Sequence, residues 1–371
     1  MKILFTGGGT AGHIFPIIAL VREIKKINPE GNLQFFYIGP KDQFALALLA
    51  QEGIEIRTIM AGKFRRYLSF QNIIDIFKVP VGIIQAFFNI YVISPDLIFS
   101  KGGYGSLPAC IAGWLLLTPI FLHESDVSPG LANKIASKMS LEIFTAYPIE
   151  KIQYFPAKKM IAVGNPLRRE ILEGSDKEAK KLFKLTGEKP VIFVLGGSQG
   201  AQKINDTILS ILNDILESFE IIHQTGSVNF SEVEKEAEAI VEKKLKNYYH
   251  PLPFLNDKEL SYAYHAADLV LSRAGAGSIF EIAAVGKPSI LVPLSNSAQG
   301  HQVNNAYVYS EKGAALVMEE VNFTPHFFLE KLKYLFSQPK MLKDMSKKAK
   351  EFSKPEAARI IADYVVSYLK Q

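Results

Sequence analysis

Lys2-Ile3-Leu4-Phe5-Thr6-Gly7-Gly8-Gly9-Thr10-Ala11-Gly12-His13 is an apolar run that breaks into glycine and resumes as a helical pattern. The same device returns at Val191-Ile192-Phe193-Val194-Leu195, followed by Gly196-Gly197-Ser198-Gln199-Gly200-Ala201. Each reads as a strand, a glycine turn and a helix start. Around them, short apolar runs at 33–38, 97–100, 120–123, 220–224, 269–272 and 289–292 alternate with longer helical stretches, the pattern of βαβ units and a parallel sheet. Two series opening alike predict two consecutive α/β domains, 1–163 and 164–352. They are joined near Val163-Gly164-Asn165-Pro166, where Gly and Pro punctuate the pattern. A closing helical segment, 353–371, is free to return to the first domain.

The 371 residues fit roughly two domains at about 150 residues each. With 48% hydrophobic and 21% charged residues the chain can bury a sizeable core. A single cysteine, Cys110, excludes an internal disulfide framework, and neither a C-x-x-C nor an H-E-x-x-H pattern offers a zinc site. No metal and no cofactor are expected. The N-terminus lacks the apolar stretch of a signal peptide, so a cytoplasmic location is expected. The apolar stretch 109–122 is interrupted by Thr118-Pro119 and is shorter than the roughly 20 residues of a spanning helix.

Residues 1–165 hold sixteen Lys and Arg against eleven Asp and Glu, and residues 166–371 hold twenty-six of each. That surplus of positive charge is too mild for nucleic acid. It suits an anionic small molecule or membrane surface. Between 62 and 94 the composition shifts to aromatic and aliphatic residues, among them Phe64, Tyr67, Leu68, Phe70, Ile73, Phe77, Ile84 and Phe88, interleaved with Lys63, Arg65, Arg66 and Lys78. Such a mixture is either an interfacial element, which Trp114 can join, or internal packing.

A glycine turn at a helix start presents unpaired N–H groups and partial positive charge, and phosphate is the natural guest. Neither turn carries the Lys-Ser/Thr of a P-loop or the full dinucleotide fingerprint. His13 follows the first turn, where an imidazole serves either as a general base or as a packing residue. Arg168 is placed to meet a phosphate or to form a surface ion pair. The stretch Ser272-Arg273-Ala274-Gly275-Ala276-Gly277-Ser278-Ile279-Phe280-Glu281 is a third helix start. Its Glu281 either complements the helix dipole or accepts ribose hydroxyls. Gln299-Gly300-His301-Gln302 closes a polar loop suited to sugar hydroxyls.

The ordered set Gly8 to His13, Lys101-Gly102-Gly103-Tyr104, His123-Glu124-Ser125-Asp126 with Pro129-Gly130-Leu131-Ala132-Asn133-Lys134, Gly164-Asn165-Pro166-Leu167-Arg168, Gly196 to Ala201 and Arg273 to Gln302 resembles the MurG family of peptidoglycan glycosyltransferases across nearly the whole chain. The resemblance implies a GT-B fold, two Rossmann-like domains with an interdomain cleft. It implies inverting transfer of N-acetylglucosamine (GlcNAc) from UDP-GlcNAc to the C4 hydroxyl of the N-acetylmuramic acid (MurNAc) of lipid I, giving lipid II without a metal. Partners would be UDP-GlcNAc, lipid I and an anionic membrane surface, with the protein peripheral on the cytoplasmic face of the inner membrane.

Carried over by the same resemblance, Arg168, Ser198 and the helix start around Ala276 and Gly277 would hold the diphosphate, and Ser278, Ile279 and Phe280 after them would bind substrate. Leu255 beside Phe254 lines the uracil site, Glu281 binds ribose, and Gln302 with His301 reads the sugar. Thr10, Ala11 and Gly12 form the acceptor-side turn, His13 is the base, and Tyr104, Asp126 and Asn133 touch substrate. The family pattern has Gly and Asn where this chain has Ala11 and Asp126; a carboxylate accepts hydrogen bonds but cannot donate as an amide does. The alternatives are another UDP-sugar transferase or epimerase of the same fold, or a silent nucleotide-sugar binding module.

Overall fold

Strand β1 (Lys2–Thr6) lies inside a parallel sheet. On one side follow β2 (Gln34–Gly39) and β3 (Glu55–Thr58), and on the other β4 (Leu97–Ser100), β5 (Ile120–Glu124), β6 (Glu142–Thr145) and β7 (Met160–Ala162). The computed structural model describes residues 1–8, 11–29, 31–62, 70–196 and 201–371. Helices α1 (Ala11–Ile27), α2 (Gln43–Gln51), α3 (Phe70–Ile93), α4 (Leu107–Leu115) and α5 (Leu131–Met139) connect these strands. The chain divides into two units, Met1–Arg168 with Lys354–Gln371, and Arg169–Ser353.

The second unit repeats the plan. Its helices are α6 (Asp176–Phe183), α7 (Gln202–Ser210), α8 (Leu212–Leu216), α9 (Phe230–Ile240), α10 (Asp257–Ala266), α11 (Ala276–Val285), α12 (His301–Ser310), α13 (Pro325–Phe336) and α14 (Pro339–Phe352). Its strands are β8 (Val191–Leu195), β9 (Glu220–Gln224), β10 (Tyr249–Leu252), β11 (Leu269–Ser272), β12 (Ser289–Leu291) and β13 (Ala315–Val317). They are ordered β10-β9-β8-β11-β12-β13, as the first sheet is ordered β3-β2-β1-β4-β5-β6-β7. In both, the chain leaves its first strand to one side and later returns to the other. The strand ends at that reversal, β1 with β4 and β8 with β11, are where open α/β sheets bind ligands.

The central strands β1, β4, β8 and β11 read as nearly unbroken apolar runs because both of their faces are covered. Along β8, Ile192 and Val194 enter one buried cluster while Val191, Phe193 and Leu195 enter the other, the period of two expected of a strand. In the first unit, Ile3 and Phe5 pack with Ile14 and Ile17 of α1, and with Ile361, Ala362, Val365 and Val366 of α15 (Ala357–Leu369). Among the described residues no helix is long and apolar enough to cross a membrane, and no group of three or more His, Cys, Asp or Glu could hold a metal ion.

Candidate functional site

In the first unit the ends of β1 and β4 are stitched together: Lys101 N donates to Thr6 O and Gly8 N to Gly102 O, both at 2.8 Å. Gly102 and Gly103 have φ of +87° and +83°, a region that side chains rarely tolerate. His13, in the first turn of α1, fits into the space that Gly8 and Gly103 leave. A Cβ on Gly8 would lie 2.9 Å from His13 Nδ1, and one on Gly103 would lie 2.8 Å from His13 Nε2. The imidazole is thus walled by backbone and half-buried, while Gly12 beside it faces open space. Thr10 and the side chain of Ala11 lie outside the described residues.

A polar cluster follows at the end of β5. Buried Glu124 accepts from Asn133 Nδ2 at 2.7 Å through Oε2, and from the Asp126 backbone N–H at 2.9 Å through Oε1. Asn133 also lies against Gly102, where a Cβ would collide with its amide. Burial pushes the Glu124 carboxyl up, the Asp126 charge adds to the rise, and the Asn133 and Asp126 hydrogen bonds with Lys101 oppose it. Lys101 is 1% exposed, and its Nζ has no hydrogen-bond partner. Burial pushes its ammonium down, against the pull of Glu124 and Asp126. His123 Nε2 meets Gly164 O at 3.0 Å; since a carbonyl only accepts, that nitrogen carries the proton. Burial, then the Lys101 charge, holds this ring neutral.

Tyr104 and Asp126 are half-buried beside this cluster. Arg168, the last residue of the first unit's main segment, is buried with its guanidinium carbon 3.8 Å from the Phe15 ring centroid, a cation–π contact.

In the second unit, β11 passes through Arg273-Ala274-Gly275 into α11, whose N-cap Gly275 supplies no side-chain hydrogen bond. A Cβ on Gly275 or Gly277 would meet nothing within 4 Å. The start of α11 is therefore uncrowded at these two glycines, and a helix start without a side-chain cap is suited to an anion. Ala276, Ile279 and Phe280 turn their side chains inward, Phe280 with its ring 5.3 Å from Phe352, so α11 offers a ligand main chain and Ser278. Glu281, one turn on, accepts from Tyr264 Oη at 3.0 Å. Asn305 Nδ2 ties α12 to Ala274 O at 3.4 Å.

The loop after β12 is pinned in several places. Arg273 pairs with Glu320 at 2.7 Å and donates to Val292 O at 3.1 Å, and Ser295 N donates to Glu320. Gln302 accepts from Leu294 N at 2.9 Å, and its own N–H donates to Ser297 Oγ at 3.2 Å. The loop turns through Gln299 and Gly300, both at positive φ, to deliver His301 as the first residue of α12. Leu255, 2% exposed, packs into the core just before the Asn256 cap of α10. Ser198 lies outside the described residues.

The structure therefore gathers His13, Gly12, Tyr104, Asp126 and Asn133 on one edge of the first sheet. It gathers Ala276 to Glu281, His301, Gln302 and Leu255 on the matching edge of the second. Sequence reading passed over Glu124 and Lys101, although both stood inside quoted motifs. It also passed over Tyr264, whose meeting with Glu281 depends on how α10 packs and leaves no mark in sequence spacing.

The glycosyltransferase family 28 N-terminal domain model matches residues 3–145, and the family 28 C-terminal domain model matches residues 191–361. The UDP-N-acetylglucosamine–N-acetylmuramyl-(pentapeptide) pyrophosphoryl-undecaprenol N-acetylglucosamine transferase of Clostridium tetani is 37% identical over 348 residues, 93% of this chain and 92% of its own. That of Clostridium botulinum is 37% identical over 365 residues, 98% and 99% of the two chains. The crystal structure of Acinetobacter baumannii MurG superposes with a TM-score of 0.74 at 24% identity, covering 99% of both chains. A UDP-GlcNAc 2-epimerase from Neisseria meningitidis, bound to UDP-GlcNAc, reaches 0.68 at 15% identity, covering 99% and 100%; at such identity the likeness is one of GT-B fold. On the two domain matches and the near full-length identity to these transferases, the chain belongs to glycosyltransferase family 28 and, within it, to the MurG-type N-acetylglucosamine transferases.

Proposed function

We propose that this chain transfers GlcNAc from UDP-GlcNAc to the C4 hydroxyl of the MurNAc of lipid I, with inversion at the sugar's C1, to give lipid II. The observation that carries this reading is the 37% identity to transferases of that name across 98% of the chain. In the reaction the acceptor oxygen forms a bond to C1 as the bond from C1 to the diphosphate breaks, and the electron pair leaves on UDP. The acceptor proton passes to a base, and His13 is the residue proposed for it. Charge growing on the leaving diphosphate is met by the open N-terminus of α11. Glu281 is proposed to hold the ribose, Gln302 and His301 the sugar, and the segment at Leu255 the uracil. Arg168 and Ser198 are proposed to complete the diphosphate site, Thr10, Ala11 and Gly12 the acceptor-side turn, Asp126 to accept from the donor sugar, and Tyr104 and Asn133 to touch substrate.

The membrane partner is supported by one stripe of the first unit. Val81, Ile84, Phe88 and Tyr91 of α3 are exposed at spacings of one helical face, Phe88 by 63%. Trp114, Leu115 and Leu117 are exposed at the end of α4, which packs on α3, and Leu131, Ile135 and Lys138 on neighbouring α5. An apolar stripe with lysine at its margin suits an anionic bilayer. The segment Lys63 to Ser69, and the side chains of Phe70, Ile73, Ile74, Ile76 and Phe77, lie outside the described residues.

The test is UDP release from UDP-GlcNAc by purified protein, with and without a lipid I analogue, in EDTA. Release that needs the analogue and survives chelation is expected. Equal release without acceptor would replace the reading with that of an epimerase or a transferase of another sugar.

A further inference from the structure

The loop 293–300 leads from β12 to Gln302 and has little apolar hold on the core. Of its eight residues only Pro293 and Ser297 are buried, so its conformation rests on hydrogen bonds. One of these comes from a different element. Glu320, just beyond β13, accepts from Ser295 N at 3.0 Å through Oε2 and from Arg273 Nη2 at 2.7 Å through Oε1. Arg273 also donates from Nη1 to Val292 O at 3.1 Å. A single carboxylate thus ties the loop to the exit of β13 and, through a forked guanidinium, to the exits of β11 and β12. Those exits are themselves fixed by main-chain bonds, Val292 N to Ser272 O at 2.8 Å and Met318 N to Leu291 O at 2.9 Å. Burial favours the neutral acid, but the Ser295 and Arg273 hydrogen bonds hold the Glu320 carboxyl below the usual carboxylate range, so both oxygens accept near neutrality.

The next N–H along the loop, that of Leu294, donates to Gln302 Oε1 at 2.9 Å. This bond sets the polarity of the amide: a main-chain N–H only donates, so the oxygen faces it and the NH2 group is what Gln302 presents to a ligand. We propose that Glu320 is a positioning residue for sugar recognition: by pinning Ser295 N it fixes the adjacent Leu294 N–H, which holds the Gln302 amide with its NH2 ready to donate to a hydroxyl oxygen of the bound sugar. Glu320 need not touch substrate. The start of α11 has ties of its own, Asn305 Nδ2 to Ala274 O at 3.4 Å and Ile279 N to Gly275 O at 3.1 Å, so the diphosphate end of the site does not depend on Glu320. An ion pair without this duty would favour neither end, since partly exposed pairs contribute little.

The inference rests on the transferase reading, in which Gln302 meets the sugar. Calorimetry with UDP and with UDP-GlcNAc on the parent chain, Glu320→Ala, Gln302→Ala and the double variant tests it without needing turnover. Glu320→Ala is expected to weaken UDP-GlcNAc binding about 5- to 10-fold, the effect of roughly one hydrogen bond, and to weaken UDP, which has no sugar to be read, less than about twofold. In transfer to a lipid I analogue the same variant should raise KM for UDP-GlcNAc by that factor, with kcat within about twofold of the parent. Glu320→Gln, with one acceptor oxygen in place of two, should fall between the parent and Glu320→Ala. In the Gln302→Ala background, Glu320→Ala should weaken UDP-GlcNAc by less than about a further twofold, because both act through one contact. Equal weakening of UDP and UDP-GlcNAc would overturn the inference, as would unchanged binding of both or full additivity in the double variant. A parent chain that binds UDP-GlcNAc but transfers nothing refutes the transferase reading alone, and the binding ratios still decide the role of Glu320. A parent chain that binds neither nucleotide refutes both.

Discussion

The Tyr264 hydroxyl donates to Glu281 Oε2 at 3.0 Å, so a fully buried phenol aims the carboxylate proposed to hold the ribose. Tyr264 is locked in turn, its ring edge-on to Phe193 at 5.3 Å. Tyr264→Phe keeps that packing and removes only the donor. A hydrogen bond of about 1–2 kcal/mol predicts a 5- to 30-fold rise in KM for UDP-GlcNAc with kcat little changed, read by steady-state kinetics. An unaltered KM would show that Glu281 needs no such aiming.

His13→Ala should lower kcat by about 10² to 10⁴ while leaving donor binding, measured by calorimetry with UDP, nearly intact. Gly103→Ala offers a second route to the same defect. Its added methyl would lie 2.8 Å from His13 Nε2, at a φ of +83°, so the ring must move. The two variants should share a phenotype: donor bound, sugar not transferred.

The stripe on α3 gives a prediction that activity alone would miss. Ile84→Glu with Phe88→Glu should weaken sedimentation with anionic vesicles by about 10- to 100-fold, given the transfer free energy of two large apolar side chains. Turnover of a water-soluble acceptor analogue should be unchanged. Loss of both together would argue that the stripe belongs to the core.

The second unit should weaken in acid. His223 is fully buried, with Nε2 3.1 Å from Asn205 Oδ1 and Nδ1 2.9 Å from Tyr249 Oη. The amide oxygen accepts only, so Nε2 donates and Nδ1 accepts from the phenol. That neutral ring is complete, and burial pushes its pKa down to about 3. The unfolded chain takes up a proton near pH 6.5 and the folded one does not. Stability is therefore whole above about 6.5 and falls by about 1.4 kcal/mol per pH unit as pH drops towards 3. His223→Gln should lower the thermal midpoint at neutral pH and flatten its acid dependence; parallel pH profiles would disprove the assignment.

The strands and the glycine turns were legible because their signals are local: an apolar run such as Val191 to Leu195 must be buried on both faces, and it breaks where glycine begins. His13 and Glu281 were legible as residues at helix starts. What escaped were relationships set by packing. That Leu255, Ile279 and Phe280 bury their side chains, that Tyr264 reaches Glu281, and that Lys101 is enclosed beside Glu124 all depend on how separate elements pack together, and no window of sequence contains both partners.

Helix α15 carries a consequence for synthesis. It supplies Ile361, Ala362, Val365 and Val366 to the core built on β1 and α1, more than three hundred residues earlier in the chain. The second unit, Arg169–Ser353, is continuous, so all of its strands and helices are translated before α15. The first must wait, with apolar α1 surface uncovered, until α15 has been translated. A nascent chain stalled before α15 thus holds all of the second unit's sequence but a first unit still lacking one of its helices.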